Sequence, residues 1–142
     1  MSALDDLYQA TILEHDRAPR NYGCLAHPTH RAEGYNPLCG DRVRVTLTVK
    51  DERLAELTFE ADGCAISRAS ASLMTEHLRG QKLSEIEPAI RAFEAMLRSG
   101  AAAPALSELG ALQGIRRFPS RMRCATLAWL SVLDALAADR TK

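Results

Sequence analysis

The sequence lacks an excess of charge of either sign. Its 142 residues include 18 lysines and arginines and 18 aspartates and glutamates, so the formal net charge at pH 7 is zero. A chain without a global electric field is not expected to attract nucleic acid or an anionic membrane surface. We therefore expect partners that are not polyanions.

The sequence also lacks a long apolar run. The N-terminal stretch Met1–Asp6 is acidic and no apolar segment follows it, which argues against a secretory signal. No segment is long enough to span a bilayer. We expect a cytoplasmic protein, and in that reducing compartment the four cysteines are expected to be metal ligands or reactive thiols rather than disulfides.

Several motifs and organising features are absent. No Cys-x-x-Cys pair is present, and no Gly-x-Ser-x-Gly segment surrounds any serine, so serine hydrolase chemistry is not expected. There is no internal repeat and no domain linker. At this length we expect a single domain over residues 1–142.

Alternation of apolar and polar residues predicts a small sheet. Apolar residues occupy every second position over 43–49 and again over 57–61, with a turn at 50–53 between the two segments. The two segments are predicted to pair as an antiparallel hairpin. One further short strand is expected near residues 32–35, within the otherwise irregular segment 19–37.

Helical spacing of apolar residues predicts four helices. The first ends near Arg17, the second runs over 65–80, the third over 84–100, and the fourth begins at Pro119 with Ser120 as its N-cap. A short extra helix is one interpretation of the Ala-rich segment 101–114. We expect an α+β fold in which a small antiparallel sheet of about three strands is covered by helices. The buried stripe of the last helix is predicted to consist of Leu127, Leu130, Leu133 and Leu136.

The stretch Asn36–Asp41 is the best candidate for chemistry. Cys39 and Asp41 are two positions apart, so in extended backbone both side chains can face one point, and Gly40 lets the backbone pass close to it. Cys64 and Cys124 are each expected where a helix begins. Three thiols and a carboxylate could form one four-ligand site, a donor set that suits zinc or an iron-sulfur cluster rather than calcium or magnesium.

Three arginines are candidates to offset the negative charge of such a site. Arg68 follows Cys64 by four residues, Arg121 precedes Cys124 by three, and Arg123 is the immediate neighbour of Cys124. The alternative interpretation is that these arginines are ordinary surface residues.

The segment 19–37 holds the remaining candidates. Its His27 and His30 have a His-x-x-His spacing that can bind a metal, but solvated loop histidines are the preferred interpretation. Cys24 has no motif around it and is expected to be a small buried or half-buried side chain.

Four segments resemble the IscU/NifU-like family of iron-sulfur cluster assembly proteins, and the resemblance runs from the first helix to the last. They are Pro37–Asp41, Gly63–Ser67, Pro119–Ala125 and the Pro-Arg-Asn-Tyr-Gly sequence at 19–23. Scaffold members of the family carry a histidine immediately before the third motif cysteine, where this chain has Arg123. This difference and the added stretch of about 101–116 resemble the SufU branch.

The resemblance to the SufU branch implies an IscU/SufE-like fold and a zinc site made by Cys39, Asp41, Cys64 and Cys124. It also implies a zinc-dependent sulfurtransferase. A PLP-dependent cysteine desulfurase would deliver sulfur to Cys39 as a persulfide, with a desulfurase histidine replacing Cys39 on zinc, and the sulfur would pass on to an iron-sulfur scaffold.

Two other functions stay open at this point. The first is a scaffold on which an iron-sulfur cluster is assembled by the same ligands, with Asp41 standing in for the missing histidine. The second is a structural zinc module, for which four protein ligands without an open coordination position are enough. Zinc hydrolysis is disfavoured, because a hydrolase needs an open position for water and usually histidine ligands.

Overall fold

The computed structural model describes the backbone of residues 3–37, 40–99 and 119–138, and the side chains of residues 10–37, 40–99 and 121–137. Cys39, the end of the third helix at Gly100 and the segment 101–116 lie outside the described residues. Within them the chain forms four helices and three strands. In chain order these are α1 (Ala3–Arg17), β1 (His30–Asn36), β2 (Asp41–Lys50), β3 (Arg53–Asp62), α2 (Ala65–Leu78), α3 (Leu83–Ser99) and α4 (Pro119–Ala138).

The three strands form one antiparallel sheet in the order β1-β2-β3. β2 and β3 pair in a register that sets Val43 opposite Ala61 and Val45 opposite Phe59, which confirms the predicted hairpin. The strand expected near residues 32–35 is β1, and it pairs with β2. The predicted α+β fold, with helices covering a small antiparallel sheet, is confirmed.

The sheet has one buried face and one exposed face because side chains alternate along each strand. Side chains in phase with Val43 point toward the helices, and those in phase with Arg42 point away from them. The buried face is built from Val43, Val45, Leu47, Leu57, Phe59 and Ala61.

α2 occupies the middle of the helical layer and packs against α1, α4 and β3. Small buried residues allow this close approach, and they are Ser67, Ala69, Ser70, Ala71 and Ser72. Ser72 also joins α2 to α1, because its hydroxyl lies 2.7 Å from Nδ1 of the buried His15.

Residues 19–23 connect α2 to the edge of the sheet. The side-chain amide of Asn21 donates to the Thr75 hydroxyl of α2 at 2.9 Å. On the other side, the Phe59 amide of β3 donates to the Asn21 carbonyl at 3.2 Å, and the Gly23 amide donates to the Phe59 carbonyl at 2.8 Å. This segment therefore fixes the end of β3 relative to α2.

The fourth helix differs in detail from its prediction. It begins at Pro119, which suits the first helical position, so Ser120 lies inside the first turn and its prediction as the N-cap is wrong. The four leucines of the predicted stripe are only half-buried, although they pack against the core. Small residues of α4 lie instead on the side that faces the core, together with one tryptophan. The tryptophan ring stacks on Phe93 of α3 at a centroid distance of 4.0 Å. The fully buried line consists of Ala125, Ala128, Trp129, Val132 and Ala135.

In the part of the chain that the structure describes, every helix is too short or too polar to cross a lipid bilayer.

Candidate metal centre

Three of the predicted ligands meet at one end of the sheet. Asp41 is the first residue of β2, Cys64 directly precedes α2, and Cys124 lies near the start of α4. One ligand atom from each of them lies within 4.8 Å of the others. The structure therefore brings together residues that are far apart in the sequence.

Asp41 is buried, and a buried carboxylate needs a positive or hydrogen-bonding partner to offset its loss of solvation. It is in phase with Val43 and points to the inner face of the sheet, where it is 1% exposed. The backbone amide of Cys64 donates to Asp41 Oδ1 at 3.0 Å, and Cys64 Sγ lies 3.7 Å from Oδ2. One carboxylate oxygen thus anchors the start of α2 while the other faces a thiol.

Gly63 makes this arrangement possible. A β-carbon at position 63 would lie 2.7 Å from Cγ of Asp41, closer than real β-carbons approach other atoms. The glycine lets the junction between β3 and α2 lie directly on the carboxylate. Gly63 is therefore part of the site.

Arg121 lies where helical spacing predicts, beside the cluster. A hydrogen bond with the side chain of Cys64 is the main cause that raises the pKa of Arg121 above its ordinary value, and the negative charges of Cys64, Cys124 and Asp41 add to it. Burial acts in the opposite direction. The guanidinium is exposed to solvent and faces the ligands, so it can offset part of their charge.

Arg68 and Arg123 are placed differently. Arg68 Nε lies 3.1 Å from a carboxylate oxygen of Asp16 on α1, and its guanidinium lies 5.9 Å from the centre of the Tyr22 ring. Arg123 is exposed, and within the described residues its side chain makes no ion pair. The predicted role of these two arginines in offsetting the charge of the site stays a prediction.

Cys39 lies outside the described residues, so its place in the site also stays a prediction. The residues on either side of it are described. Asn36 is buried, and the Gly40 amide donates to the Asn36 carbonyl at 2.8 Å. Gly40 has a φ of +77°, a left-handed conformation that favours glycine. A backbone hydrogen bond thus joins the described residues on the two sides of position 39, Asn36 and Gly40, immediately before the buried Asp41.

The expectation for Cys24 is wrong, because this thiol is exposed. The next residue, Leu25, donates its backbone amide to Thr46 Oγ1 at 3.0 Å, so the loop runs along the polar face of the sheet rather than into the core. His27 is exposed and His30 is half-buried beside Thr29 Oγ1 at 2.7 Å, and neither belongs to the Asp41–Cys64–Cys124 cluster.

Sequence reasoning missed Ser70, whose hydrogen bonds connect the two helices that begin at the cluster. Its hydroxyl donates to the carbonyl of Ala125 and accepts a hydrogen bond from the indole nitrogen of Trp129 at 3.0 Å. Ser70 thereby joins α2, which follows Cys64, to the turn of α4 that carries Cys124. The sequence gives no sign of this role, because the two hydrogen-bond partners of Ser70 are 55 and 59 residues away from it.

The donor types of the cluster, and one of its distances, suit a tetrahedral metal site. Zinc bonds of about 2.3 Å to sulfur and about 2.0 Å to oxygen place neighbouring ligand atoms roughly 3.5 to 3.8 Å apart. The distance of 3.7 Å between Cys64 Sγ and Asp41 Oδ2 lies in this range. Two thiols and a carboxylate leave one position for a fourth ligand, and the same donors could also hold iron.

A family model described as the NifU-like N-terminal domain matches residues 7–140. A Bacillus subtilis protein named zinc-dependent sulfurtransferase SufU is 35% identical over 138 residues, which cover 96% of this chain and 93% of that protein. A Streptococcus pyogenes protein named iron-sulfur cluster assembly scaffold protein IscU is 33% identical over 139 residues, which cover 96% and 86% of the two chains.

The fold agrees with these relationships. The crystal structure of a NifU-like protein (N-terminal) from Brucella abortus superposes with a TM-score of 0.87 at 28% identity and covers 99% of both chains. Together with the sequence matches, this likeness shows that the chain belongs to the NifU-like N-terminal domain family of iron-sulfur cluster assembly proteins and, within it, to the SufU branch.

Proposed function

We propose that the chain is a zinc-dependent sulfur acceptor in iron-sulfur cluster assembly. Cys39, Asp41, Cys64 and Cys124 hold zinc, and Cys39 takes persulfide sulfur from a PLP-dependent cysteine desulfurase. The observation that carries the proposal is the convergence of Asp41, Cys64 and Cys124 within 4.8 Å. The name of the Bacillus subtilis relative, zinc-dependent sulfurtransferase, supports the choice of metal and of reaction.

The proposed ligands divide into anchored and movable groups. Cys64 and Cys124 belong to the starts of α2 and α4, which Ser70 joins, so these two ligands are fixed by the helical layer. We propose that Cys39, which precedes Gly40 in the sequence, is the ligand that leaves the metal. Zinc, when bound, keeps its thiol ligands deprotonated. Arg121 offsets part of the negative charge that three thiolates and a carboxylate bring.

The proposed reaction is an exchange at sulfur. The Cys39 thiolate attacks the outer sulfur of the persulfide on the desulfurase. The sulfur–sulfur bond of that persulfide breaks, and the electron pair leaves with the desulfurase cysteine as a thiolate. Cys39 ends as the persulfide and the desulfurase is ready for another cycle, so no oxidant or reductant is consumed. An iron-sulfur scaffold is the proposed recipient of this sulfur.

We propose that residues 1–142 form one domain of this family. Persulfide transfer to Cys39 would take place in the cytoplasm, where thiols stay reduced. We also propose that Asp41 is a ligand that is not released. The buried carboxylate is held by the Cys64 amide at 3.0 Å, which suits a permanent role.

The test is mass spectrometry of the zinc-loaded protein after incubation with a desulfurase and L-cysteine. Added sulfur is expected on the peptide that contains Cys39, and Cys39→Ala should abolish it. Cys24→Ala is the matched control, because Cys24 is exposed and outside the cluster, and this variant should gain sulfur normally. Sulfur on Cys24 in place of Cys39 would contradict the assignment.

A cluster scaffold is the second candidate, and the name of the Streptococcus pyogenes relative favours it. In that case the protein would gather iron and sulfide in the same experiment and develop visible absorption, while no thiol keeps persulfide sulfur. If neither result is obtained and zinc removal only unfolds the chain, the metal has a structural role.

A further inference from the structure

The outer face of the sheet carries a groove at the same end as the thiol cluster. The groove has a volume of about 190 Å³, and its lining includes Tyr22, Arg42, Arg44, Glu60 and Asp62. Arg42 follows the cluster residue Asp41 in the chain. Asp62 lies two positions before Cys64. The groove and the cluster are therefore separated by little more than the thickness of the sheet.

The two arginines in this groove are in different electrostatic situations. Arg44 lies between two carboxylates, at 3.8 Å from Glu33 and 3.5 Å from Glu60, so its charge is compensated within the sheet. Arg42 stands opposite Asp62 in the strand register. Even so, within the described residues Arg42 forms no ion pair with Asp62 or with any other carboxylate, and its guanidinium lies 5.1 Å from the centre of the Tyr35 ring.

An arginine that stacks on an aromatic ring keeps the edge of its guanidinium available. This planar edge matches the geometry of a carboxylate, and the stacking fixes its direction in advance. Arg42 is thus prepared for an acidic group that the described part of this chain does not supply. Asp62, also exposed and opposite Arg42 in the register, partly offsets the charge of this arginine without forming an ion pair with it.

Exposed aromatic side chains border the same groove. Among the described residues three large hydrophobic side chains are strongly exposed. One of them, Tyr22 at 44%, lines the groove, and another, Tyr35 at 55%, lies beside it in contact with the Arg42 guanidinium. Tyrosine and arginine are enriched among the residues that contribute most to protein–protein binding. We use the name outer groove for the surface formed by Tyr22, Tyr35, Arg42 and Asp62.

The size of protein interfaces connects the outer groove to the cluster. A standard interface buries about 800 Å² on each partner, a patch roughly 30 Å across. Layers of a packed sheet are about 10 Å apart. The cluster and the outer groove lie at the same end of the sheet, so an interface of this size that extends around that end can include both.

We propose that the outer groove docks the sulfur-donating protein, which presents a carboxylate to Arg42 and an apolar or aromatic side chain to Tyr22 and Tyr35. This inference rests on the proposed function, because it takes the desulfurase as the protein that approaches the cluster. It assigns Arg42 and Tyr35 to recognition and leaves the sulfur chemistry to the thiols.

The test measures desulfurase activity with L-cysteine at increasing concentrations of zinc-loaded Arg42→Glu and Tyr35→Ala. Each variant is expected to need about tenfold more protein for half-maximal stimulation, with the same maximal rate at saturation. Lys50→Glu is the control. Lys50 lies on the same strand and the same face, about 26 Å farther along, and makes the same change of charge. It should behave like the unchanged protein.

Binding of the desulfurase, measured by calorimetry with the same variants, separates this inference from the proposed function. If the unchanged chain binds the desulfurase but no thiol gains sulfur, the proposed function fails. The docking proposal is still supported in that case if Arg42→Glu binds the desulfurase more weakly. If sulfur transfer proceeds and both groove variants stay within twofold of the unchanged chain, the docking proposal is overturned. It is also overturned if Lys50→Glu weakens binding equally, or if Arg42→Glu instead changes self-association of the chain in sedimentation.

Discussion

At the scale of single residues, a side chain at position 63 would collide with Asp41. Gly63→Ala should push the carboxylate away from the Cys64 amide and lower the affinity for zinc by about tenfold, a loss typical of disturbed groups that orient metal ligands. The measurement is a zinc titration in competition with a coloured chelator.

Gly80→Ala is the control for backbone strain. Gly80 has a φ of +86° and no atom within 4 Å of the position of a β-carbon, so this variant should lose about 1 kcal/mol of unfolding free energy and keep its zinc affinity. Equal zinc affinities for the two variants would show that Asp41 does not depend on Gly63.

Individual contacts at the site also show which features could be predicted from the sequence. The sequence placed Asp41 and Arg121 at the cluster, the latter because it precedes Cys124 by one helical turn. The extended backbone expected before Asp41 is wrong at Gly40, whose φ is +77°. The contact between Arg68 and Asp16 was not predictable, since it depends on α1 packing beside the start of α2. Neighbours within an element follow from local spacing, whereas contacts between elements need the packed fold.

At the scale of elements, Ser70 is the connection between α2 and α4. Ser70→Ala would leave the indole N–H of Trp129 buried without this partner. The expected loss of unfolding free energy is about 1–3 kcal/mol, measured by denaturant unfolding.

Ser131→Ala is the matched control for Ser70→Ala. Ser131 is also buried, but it donates to the Leu127 carbonyl within α4, so its loss removes a contact inside one helix. This variant should lose less than about 1 kcal/mol. A larger loss at Ser131 than at Ser70 would contradict the importance of the link between the helices.

Element by element, the strands were predicted better than the details of α4. Val43, Val45 and Leu47 alternate strictly with arginine and threonine, so the buried face of β2 is unambiguous. In α4 apolar residues surround the helix, and leucines compete with alanines for the buried face. α4 packs against α2 and β1, and its fully buried residues include Trp129 and Val132 as well as alanines. Residue size therefore does not identify the buried face, which only the packing of these elements determines.

At the scale of the whole molecule, the core and the cluster are separate sources of stability. The hydrophobic core extends through the sheet, α2, α3 and α4, whereas the cluster lies at one end of the sheet. Removal of zinc by a chelator should therefore lower the melting temperature without unfolding the chain at 25 °C. At a hundredfold excess of zinc over its dissociation constant the contribution is about 2.7 kcal/mol, roughly 10 °C for a chain of this size.

Circular dichroism at 222 nm, followed during heating with and without the chelator, measures this contribution. Loss of the helical signal at 25 °C on chelation would mean that the metal is needed for folding, as in small zinc modules. Cys124→Ala should show the lower melting temperature even in the presence of zinc, because one proposed ligand is missing.

The wide spacing of the cluster residues in the sequence also determines when the cluster can form during protein synthesis. Asp41 and Cys64 are synthesised early, but Cys124 follows Cys64 by sixty residues and belongs to the last helix. Ribosomes add about 5–20 residues per second, so the chain grows for about 3–12 s between the two cysteines. The cluster is thus among the last parts of the molecule to be assembled, and a nascent chain that stops before α4 can bring Asp41 and Cys64 together but lacks Cys124.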